Sequence, residues 1–156
     1  MSEPDLGVRR AGSPDAGVIG RLLHDFNSEF DEPTPGPEAI ADRVRELLAR
    51  DDFIVLLAGD EARGLAVLRF RPSIWTEHLE CYLAELYVQP AHRGNGLGRA
   101  LMTATLDAAR TRGADFIEVA TSEDDVGARA LYESFGFINR ERGPDGPVIH
   151  MYEREL

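Results

Sequence analysis

The apolar residues of the chain recur with two different periods, and these periods predict the order of helices and strands. Spacings of three and four residues, as at Ile19, Leu22 and Phe26, are typical of an amphipathic helix. Short runs rich in valine, isoleucine and aromatic residues between turns are typical of strands. The pattern predicts one helix that starts at Ser13, and three more over about Glu38–Arg50, Leu97–Arg112 and Val126–Phe135. It predicts strands over about Leu6–Ala11, Phe53–Ala58, Ala62–Arg71, His78–Val88, Phe116–Ala120, Phe137–Arg142 and Val148–Glu153.

The order of these elements indicates the fold class. Two helices follow the first strand, three strands come next, and a helix, a strand, a helix and two strands complete the chain. This order is typical of an α/β protein with a mixed sheet. A chain of 156 residues has the size of one domain, which is typically about 100–200 residues. We therefore expect residues 1–156 to form a single domain.

The composition of the chain limits its partners. It has 28 acidic and 17 basic residues, a net charge of −11, and a field of that sign repels nucleic acids and anionic membranes. All the basic residues are arginine, so there is no lysine for a Schiff base or for a GK[ST] phosphate loop. The one cysteine allows no internal disulfide, and the four histidines lack metal-ligand spacing. We expect no nucleic-acid, membrane or metal partner and, because no apolar leader is visible, a cytoplasmic location.

The most informative segment is the turn between the strand that ends near Val88 and the helix that begins near Leu97. Glycines occupy alternate positions there, and the helix start offers unpaired amide N–H groups and the positive end of a helix dipole. These groups suit an anion such as a pyrophosphate. A dinucleotide-binding GxGxxG motif is excluded, because Arg99 and Leu101 stand where it needs glycine. The pattern that matches is RxxGxG, and its first residue, Arg93, is expected near the phosphates together with Arg99.

Two motifs of the chain resemble those of the GNAT superfamily of N-acetyltransferases. The strand, RxxGxG turn and helix are similar to that superfamily's acetyl-CoA site, and residues 128–137, ARALYESFGF, resemble its AxxLYxxxGF helix. The order of elements also agrees. The resemblance implies an N-acetyltransferase domain with a mixed, mostly antiparallel sheet of six to seven strands flanked by four helices. It also implies acetyl-CoA as cosubstrate and a possible homodimer.

The resemblance assigns parts of the cofactor site to this sequence. The backbone of residues 86–88 would pair with the pantetheine arm, the amides of residues 93–98 would surround the pyrophosphate, and Tyr132 would lie near the CoA sulfur. Asp125 stands where the family usually has asparagine, so it can cap the following helix but cannot donate a hydrogen bond to the cofactor. The predicted cofactor-binding residues are Leu86, Tyr87, Val88, Arg93, Gly94, Asn95, Gly96, Leu97, Gly98, Arg99 and Asp125.

Transfer of an acetyl group to an amine needs a base, a donor for the developing oxyanion and help for the departing thiolate. Glu85 is the candidate base, because a carboxylate is out of place in the apolar strand around it and burial would raise its pKa. Its alternative role is a structural carboxylate. The other candidate bases are Glu80, His78 and a water chain that ends at Glu29 or Glu123. Tyr132 is the candidate acid, or else a core aromatic, and the main chain of residues 86–88 is the candidate oxyanion donor.

The acceptor is expected to be a small cationic amine. Residues 1–60 contain 13 acidic and 6 basic residues, and an acidic mouth would attract a cation, although a solvated acidic surface has the same composition. The candidate acceptor residues are Glu29, Asp31, Glu32 and Trp75, the last of which either lines the acceptor pocket or caps the core. Residues 82–88, YLAELYV, are similar to the YLEDLYV stretch of diamine and thialysine acetyltransferases, but Ala84 replaces an acid. Aminoglycosides, amino-acid derivatives and protein N-termini remain alternative acceptors, and a non-catalytic acyl-CoA sensor is the alternative function.

Overall fold

The computed structural model describes residues 6–156, which form two compact units that divide between Val119 and Ala120. The second unit contains α4 (Val126–Ser134). The elements of the first unit are β1 (Val8–Arg10), a 3₁₀ helix (Ser13–Asp15), α1 (Ala16–Glu29), α2 (Pro37–Leu48), β2 (Phe53–Ala58), β3 (Gly64–Pro72), β4 (Leu79–Val88), a 3₁₀ helix (Pro90–His92), α3 (Leu97–Thr111) and β5 (Ala114–Val119). The four predicted helices and the first five predicted strands are confirmed, with ends shifted by a few residues.

Residues 6–119 of the first unit are built around a five-stranded sheet with the strand order β1-β2-β3-β4-β5. The pairs β1–β2, β2–β3 and β3–β4 are antiparallel, whereas β4 pairs with β5 in parallel. The α/β class and the mixed, mostly antiparallel sheet are therefore confirmed.

The prediction of six to seven strands is wrong for residues 6–156. The segments predicted as a closing hairpin, Phe137–Arg142 and Val148–Glu153, form one isolated bridge, between Arg140 and Val148. A two-stranded hairpin is marginally stable unless one face is packed, and the apolar side chains of the second segment are exposed, Tyr152 at 90%. The alternating sequence of this region is therefore not sufficient to form strands.

Both faces of the sheet are covered, which explains the uninterrupted apolar sequence of β2. On one face, Val55, Leu57 and Val67 pack with residues of α1 and α2, and we call this side of the sheet the α1–α2 face. On the opposite face of the sheet, α3 packs against β2, β3 and β4. Gly20 permits the close crossing of α1 and α2, because a Cβ there would lie 2.4 Å from the carbonyl oxygen of Pro37.

Candidate active site

A β-bulge in β4 sets the direction of the candidate base, Glu85. Glu85 pairs with Val67 of β3, but the next residue of β3, Leu68, pairs with Leu83, so Ala84 is an extra residue in β4. Residues two apart along a regular strand point to the same face, and the bulge interrupts this alternation. Because Val67 belongs to the α1–α2 face, Glu85 points to that face, whereas Leu83 is buried on the other side.

The surroundings of Glu85 suit a general base. Its side chain is half-buried, and among the described residues its carboxylate has no hydrogen-bond or ion-pair partner. Burial raises the pKa of this carboxyl, and the positive charge of Arg69 opposes part of the rise. A carboxylate with a raised pKa that is not bound to another group is able to accept a proton during a reaction.

Two of the other candidate bases, Glu80 and Glu29, form ion pairs with arginines. The Glu80 carboxylate accepts a 2.6 Å hydrogen bond from Nε of Arg71. Glu29 forms an ion pair that is described below. His78 lies in the exposed loop before β4, and Glu123 lies in the second unit. Among the candidate bases, Glu85 is half-buried and its carboxylate has no hydrogen-bond or ion-pair partner among the described residues.

The glycine turn after β4 presents its main-chain amides at the start of α3. Gly94 and Gly96 have φ angles of +82° and +87°, a conformation that glycine adopts without the steric strain of other residues. α3 begins at Leu97, and the first amides of a helix have no acceptor within the helix. Within residues 6–156, no main-chain oxygen accepts a hydrogen bond from the amides of residues 94–98. We call these amides the amide cup.

The amide cup fits the pyrophosphate of acetyl-CoA. Uncommitted N–H donors at a helix N-terminus, together with the positive end of the helix dipole, are the groups that bind phosphate oxygens. Asn95 is exposed within the cup, and Arg99 is exposed in the first turn of α3. The predicted strand, turn and helix are therefore present, and within residues 6–156 the amides of the cup bind no main-chain oxygen.

The end of β4 has an open edge that precedes the amide cup in the chain. β4 pairs with β5 only as far as Leu83 and Val119, so, within the part of the chain that the structure describes, residues 84–88 pair with β3 alone. Alternate main-chain groups of such a stretch point to the open side, where an extended ligand that contains amides can add as a strand. This open edge includes Leu86, Tyr87 and Val88, and it provides what the predicted pantetheine contact requires.

The Arg93 side chain differs from its prediction, because its guanidinium binds protein groups. Its Nε donates to the carbonyl oxygen of Val88 at 2.9 Å, and one terminal nitrogen donates to both carboxylate oxygens of Glu29 at 2.9 Å. The guanidinium also lies over the Tyr87 ring, 5.8 Å from its centroid. Arg93 thus joins the end of α1 to the end of β4. The pair spans 64 positions of sequence, so no local signal could have found it.

Replacing Arg93 with glutamine is expected to lower the free energy of unfolding by about 1 kcal/mol, because a half-exposed charged pair and the bond to Val88 are lost. Urea unfolding measures this change. The matched control is Arg43→Gln, which removes an exposed pair with Glu46 on α2 and should cost only about 0.3 kcal/mol. Equal losses for the two variants would contradict a specific role for Arg93.

The candidate acceptor residues lie in two exposed segments of the first unit. Glu29 ends α1, and Asp31 and Glu32 follow it in the loop to α2. Neither Asp31 nor Glu32 forms an ion pair with a described residue, whereas Glu29 is held by Arg93. Trp75 is 87% exposed in the loop between β3 and β4, so it does not cap the core.

The second unit carries the other two predicted groups. Asp125 caps α4 as the sequence predicts, since its carboxylate accepts the amide N–H of Ala128 at 3.0 Å. Tyr132 is buried, and its ring packs with that of Phe137 with 5.9 Å between centroids. This burial is compatible with both of its predicted roles, an acid or a core aromatic.

Sequence reasoning missed two arginines on the α1–α2 face. Arg69 and Arg71 alternate in β3 with the buried residues Leu68 and Phe70, and this alternation is the signal that could have found them. Arg69 lies opposite Tyr82 of β4, close to the bulge. The face that carries Glu85 is therefore polar and charged near β4.

Two further properties follow from residues 6–156. No three histidine, cysteine, aspartate or glutamate side chains of this range come together as a metal site. None of its helices is long and apolar enough to cross a membrane.

Known proteins resemble this chain in sequence and in fold. A model of the acetyltransferase (GNAT) family matches residues 19–137. A mycothiol acetyltransferase of Beutenbergia cavernae is 36% identical over 135 residues, which cover 83% of this chain but 44% of that protein, so the chain spans less than half of it. A thialysine N-epsilon-acetyltransferase of Caenorhabditis elegans is 26% identical over 86% of this chain and 88% of its own length. The crystal structure of a protein from Arthrobacter sp. FB24, described as an acetyltransferase, is 44% identical with a TM-score of 0.89, over 100% of this chain and 99% of its own.

The family model spans most of the chain and includes both the RxxGxG turn and α4. The chain therefore belongs to the GNAT family of acetyltransferases, enzymes that transfer an acetyl group and use acetyl-CoA as cosubstrate.

Proposed function

We propose that residues 1–156 form a single N-acetyltransferase domain that moves the acetyl group of acetyl-CoA to the primary amine of a small cationic acceptor by direct attack. The observation that carries this proposal is the bulge at Ala84, which turns the uncommitted carboxylate of Glu85 to the α1–α2 face. The same strand has its open edge from residue 84 onward and leads into the amide cup. A base and a cofactor-binding edge are thus parts of one strand.

The residues of the chain divide the work of the reaction. Acetyl-CoA supplies the acetyl group as a thioester, which an amine can attack. The amide cup binds the pyrophosphate, and main-chain N–H groups of residues 86–88 on the open side of β4 donate to the carbonyl oxygen on which negative charge develops. Glu85 accepts the proton that the acceptor ammonium must lose before its nitrogen can attack.

The state of the one cysteine supports direct attack over an acetyl-enzyme. Cys81 is buried, and burial raises the pKa of its thiol to about 12. Because the thiolate rather than the thiol is the nucleophile, this side chain is unreactive at neutral pH. We therefore expect the acetyl group to pass to the amine without a covalent step on Cys81.

Tyr132 is the proposed acid for the departing thiolate. A thiol of pKa about 8.5 leaves with little help, so Tyr132→Phe should lower kcat only modestly, by about 10-fold. The substitution retains the ring that packs with Phe137. Thiol release from acetyl-CoA measures the rate, and Tyr152→Phe, at an exposed ring, is the control. A rate equal to wild type would leave Tyr132 as a core aromatic.

The acceptor is proposed from charge and from similarity. Asp31 and Glu32 extend from the end of α1 without ion-pair partners among the described residues, and exposed carboxylates concentrate a cationic amine by long-range attraction. A relative that covers most of the chain is named a thialysine N-epsilon-acetyltransferase, which supports an amine acceptor of low molecular weight. A homodimer and a cytoplasmic location stay predictions.

The test is release of free thiol from acetyl-CoA by the purified protein over a panel of diamines, amino acids, aminoglycosides and peptides. We expect turnover with small amines. Binding of acetyl-CoA with no turnover on any amine would replace the proposal with an acyl-CoA sensor. Turnover on peptides alone would replace it with a protein N-terminal acetyltransferase.

A further inference from the structure

The two arginines of β3 on the α1–α2 face have different partners. Arg71 donates to Glu80 at 2.6 Å and to Glu118 at 2.8 Å, so two carboxylates bind its guanidinium. Arg69 has no hydrogen-bond or ion-pair partner among the described residues. Its guanidinium lies over the ring of Phe53, 5.5 Å from the centroid, and its side chain is exposed.

The position of Arg69 puts this guanidinium next to the proposed base. Val67 of β3 is opposite Glu85 of β4. Arg69 lies two residues after Val67, opposite Tyr82, and therefore on the same face of the sheet. Arg69 and Glu85 are thus diagonal neighbours. Among the described residues they form no ion pair with each other, although the charge of Arg69 acts on the Glu85 carboxyl. Asp52, in the turn before β2, is bound by Arg50 through hydrogen bonds of 2.8 and 2.7 Å.

We propose that Arg69 binds a carboxylate of the acceptor, so that the substrate is an amino acid or a similar amine with a carboxylate rather than a simple polyamine. This inference rests on the proposed function, because it takes Glu85 as the base. A guanidinium presents a fork of N–H donors that matches a carboxylate. An acceptor with an ammonium and a carboxylate places each charge against its opposite, at Glu85 and at Arg69. A polyamine would instead bring a second cation toward Arg69.

The experiment measures kcat/KM for amino acids and for their carboxamides, which lack the carboxylate charge, in the wild type and in Arg69→Gln. The ratio of the two kcat/KM values is the preference of each protein for the carboxylate. Conversion of the carboxylate to a carboxamide also lowers the basicity of the amine. This effect is the same in both proteins, so it cancels when the carboxylate preference of the wild type is divided by that of the variant. We expect the preference for the carboxylate to fall about 10-fold in Arg69→Gln, the size of a charge-assisted hydrogen bond at a partly exposed site. Arg69→Lys should restore part of it, and Arg43→Gln on α2 is the control and should leave it unchanged.

An unchanged preference in Arg69→Gln, or a wild type that prefers diamines to amino acids, would overturn the inference while leaving the acetyltransferase function intact. The absence of thiol release with every amine, in the wild type and in all variants, would show instead that the proposed function fails. The inference would then fall with it.

Discussion

Replacing Glu85 with glutamine should lower kcat by about 10²–10⁴-fold, the usual contribution of a general base, and should leave the affinity for acetyl-CoA unchanged. The amide keeps the shape of the side chain but cannot accept the proton of the acceptor ammonium. Thiol release at saturating acetyl-CoA measures the rate. The matched control is Glu80→Gln, on the same strand and face, whose carboxylate is bound by Arg71. A slow Glu80 variant beside an active Glu85 variant would contradict the assignment.

The pH dependence of kcat/KM is a second test of the role of Glu85. Burial raises the pKa of Glu85 above its ordinary value of 4.5, so kcat/KM should rise with pH through a midpoint above that value, as the carboxyl loses its proton. The raised pKa also means that the folded state holds this proton more tightly than the unfolded state. The contribution of Glu85 to stability is therefore present below the unfolded pKa and is lost as pH rises through the folded pKa. Glu85→Gln should remove the acidic limb of the activity profile and should not lower the free energy of unfolding at neutral pH.

Replacing Gly94 with alanine should raise the KM for acetyl-CoA about 10-fold, because the loss of one or two cup hydrogen bonds has that cost. The added Cβ meets no atom within 4 Å, but the φ of +82° strains the backbone of an alanine. We expect the turn to relieve this strain by a change of backbone conformation that displaces the amides of the cup. Steady-state kinetics at varied acetyl-CoA give the KM.

The matched control for Gly94 is Gly113→Ala at the other end of α3. Gly113 has a φ of +90° and also has open space around its Cβ, so both variants should lose a similar free energy of unfolding, about 1–2 kcal/mol. Only the Gly94 variant should bind acetyl-CoA more weakly. An equal rise in KM for both would mean that general destabilisation, rather than the cup, explains the effect.

The pattern of the sequence predicts most elements because each has a strong local signal. β2 matches its prediction residue by residue, Phe53–Ala58, since a strand covered on both faces is continuously apolar. The family resemblance singles out Asp125 and its chemistry allows it to cap α4, and its bond to Ala128 confirms the cap. The closing hairpin fails because alternation without a packed face does not stabilise two strands.

The site depends on features that no local pattern contains. A regular β4 would point Leu83 and Glu85 to the same face, and only the extra residue Ala84, visible in the register against β3, separates them. Likewise the charge of Arg93 suggests a phosphate contact, but its partner Glu29 is 64 positions away. Long-range pairing of this kind is set by how α1 packs on the sheet, which the spacing of residues does not specify.

Titration calorimetry with acetyl-CoA and with S-acetylpantetheine, which lacks the pyrophosphate, tests the central claim most directly. If the amides of residues 94–98 bind the pyrophosphate, the wild type should bind acetyl-CoA at least about 100-fold more tightly than the shorter thioester, since several charge-assisted hydrogen bonds separate the two. Equal affinity for both compounds, or no heat of binding with acetyl-CoA, would contradict the account.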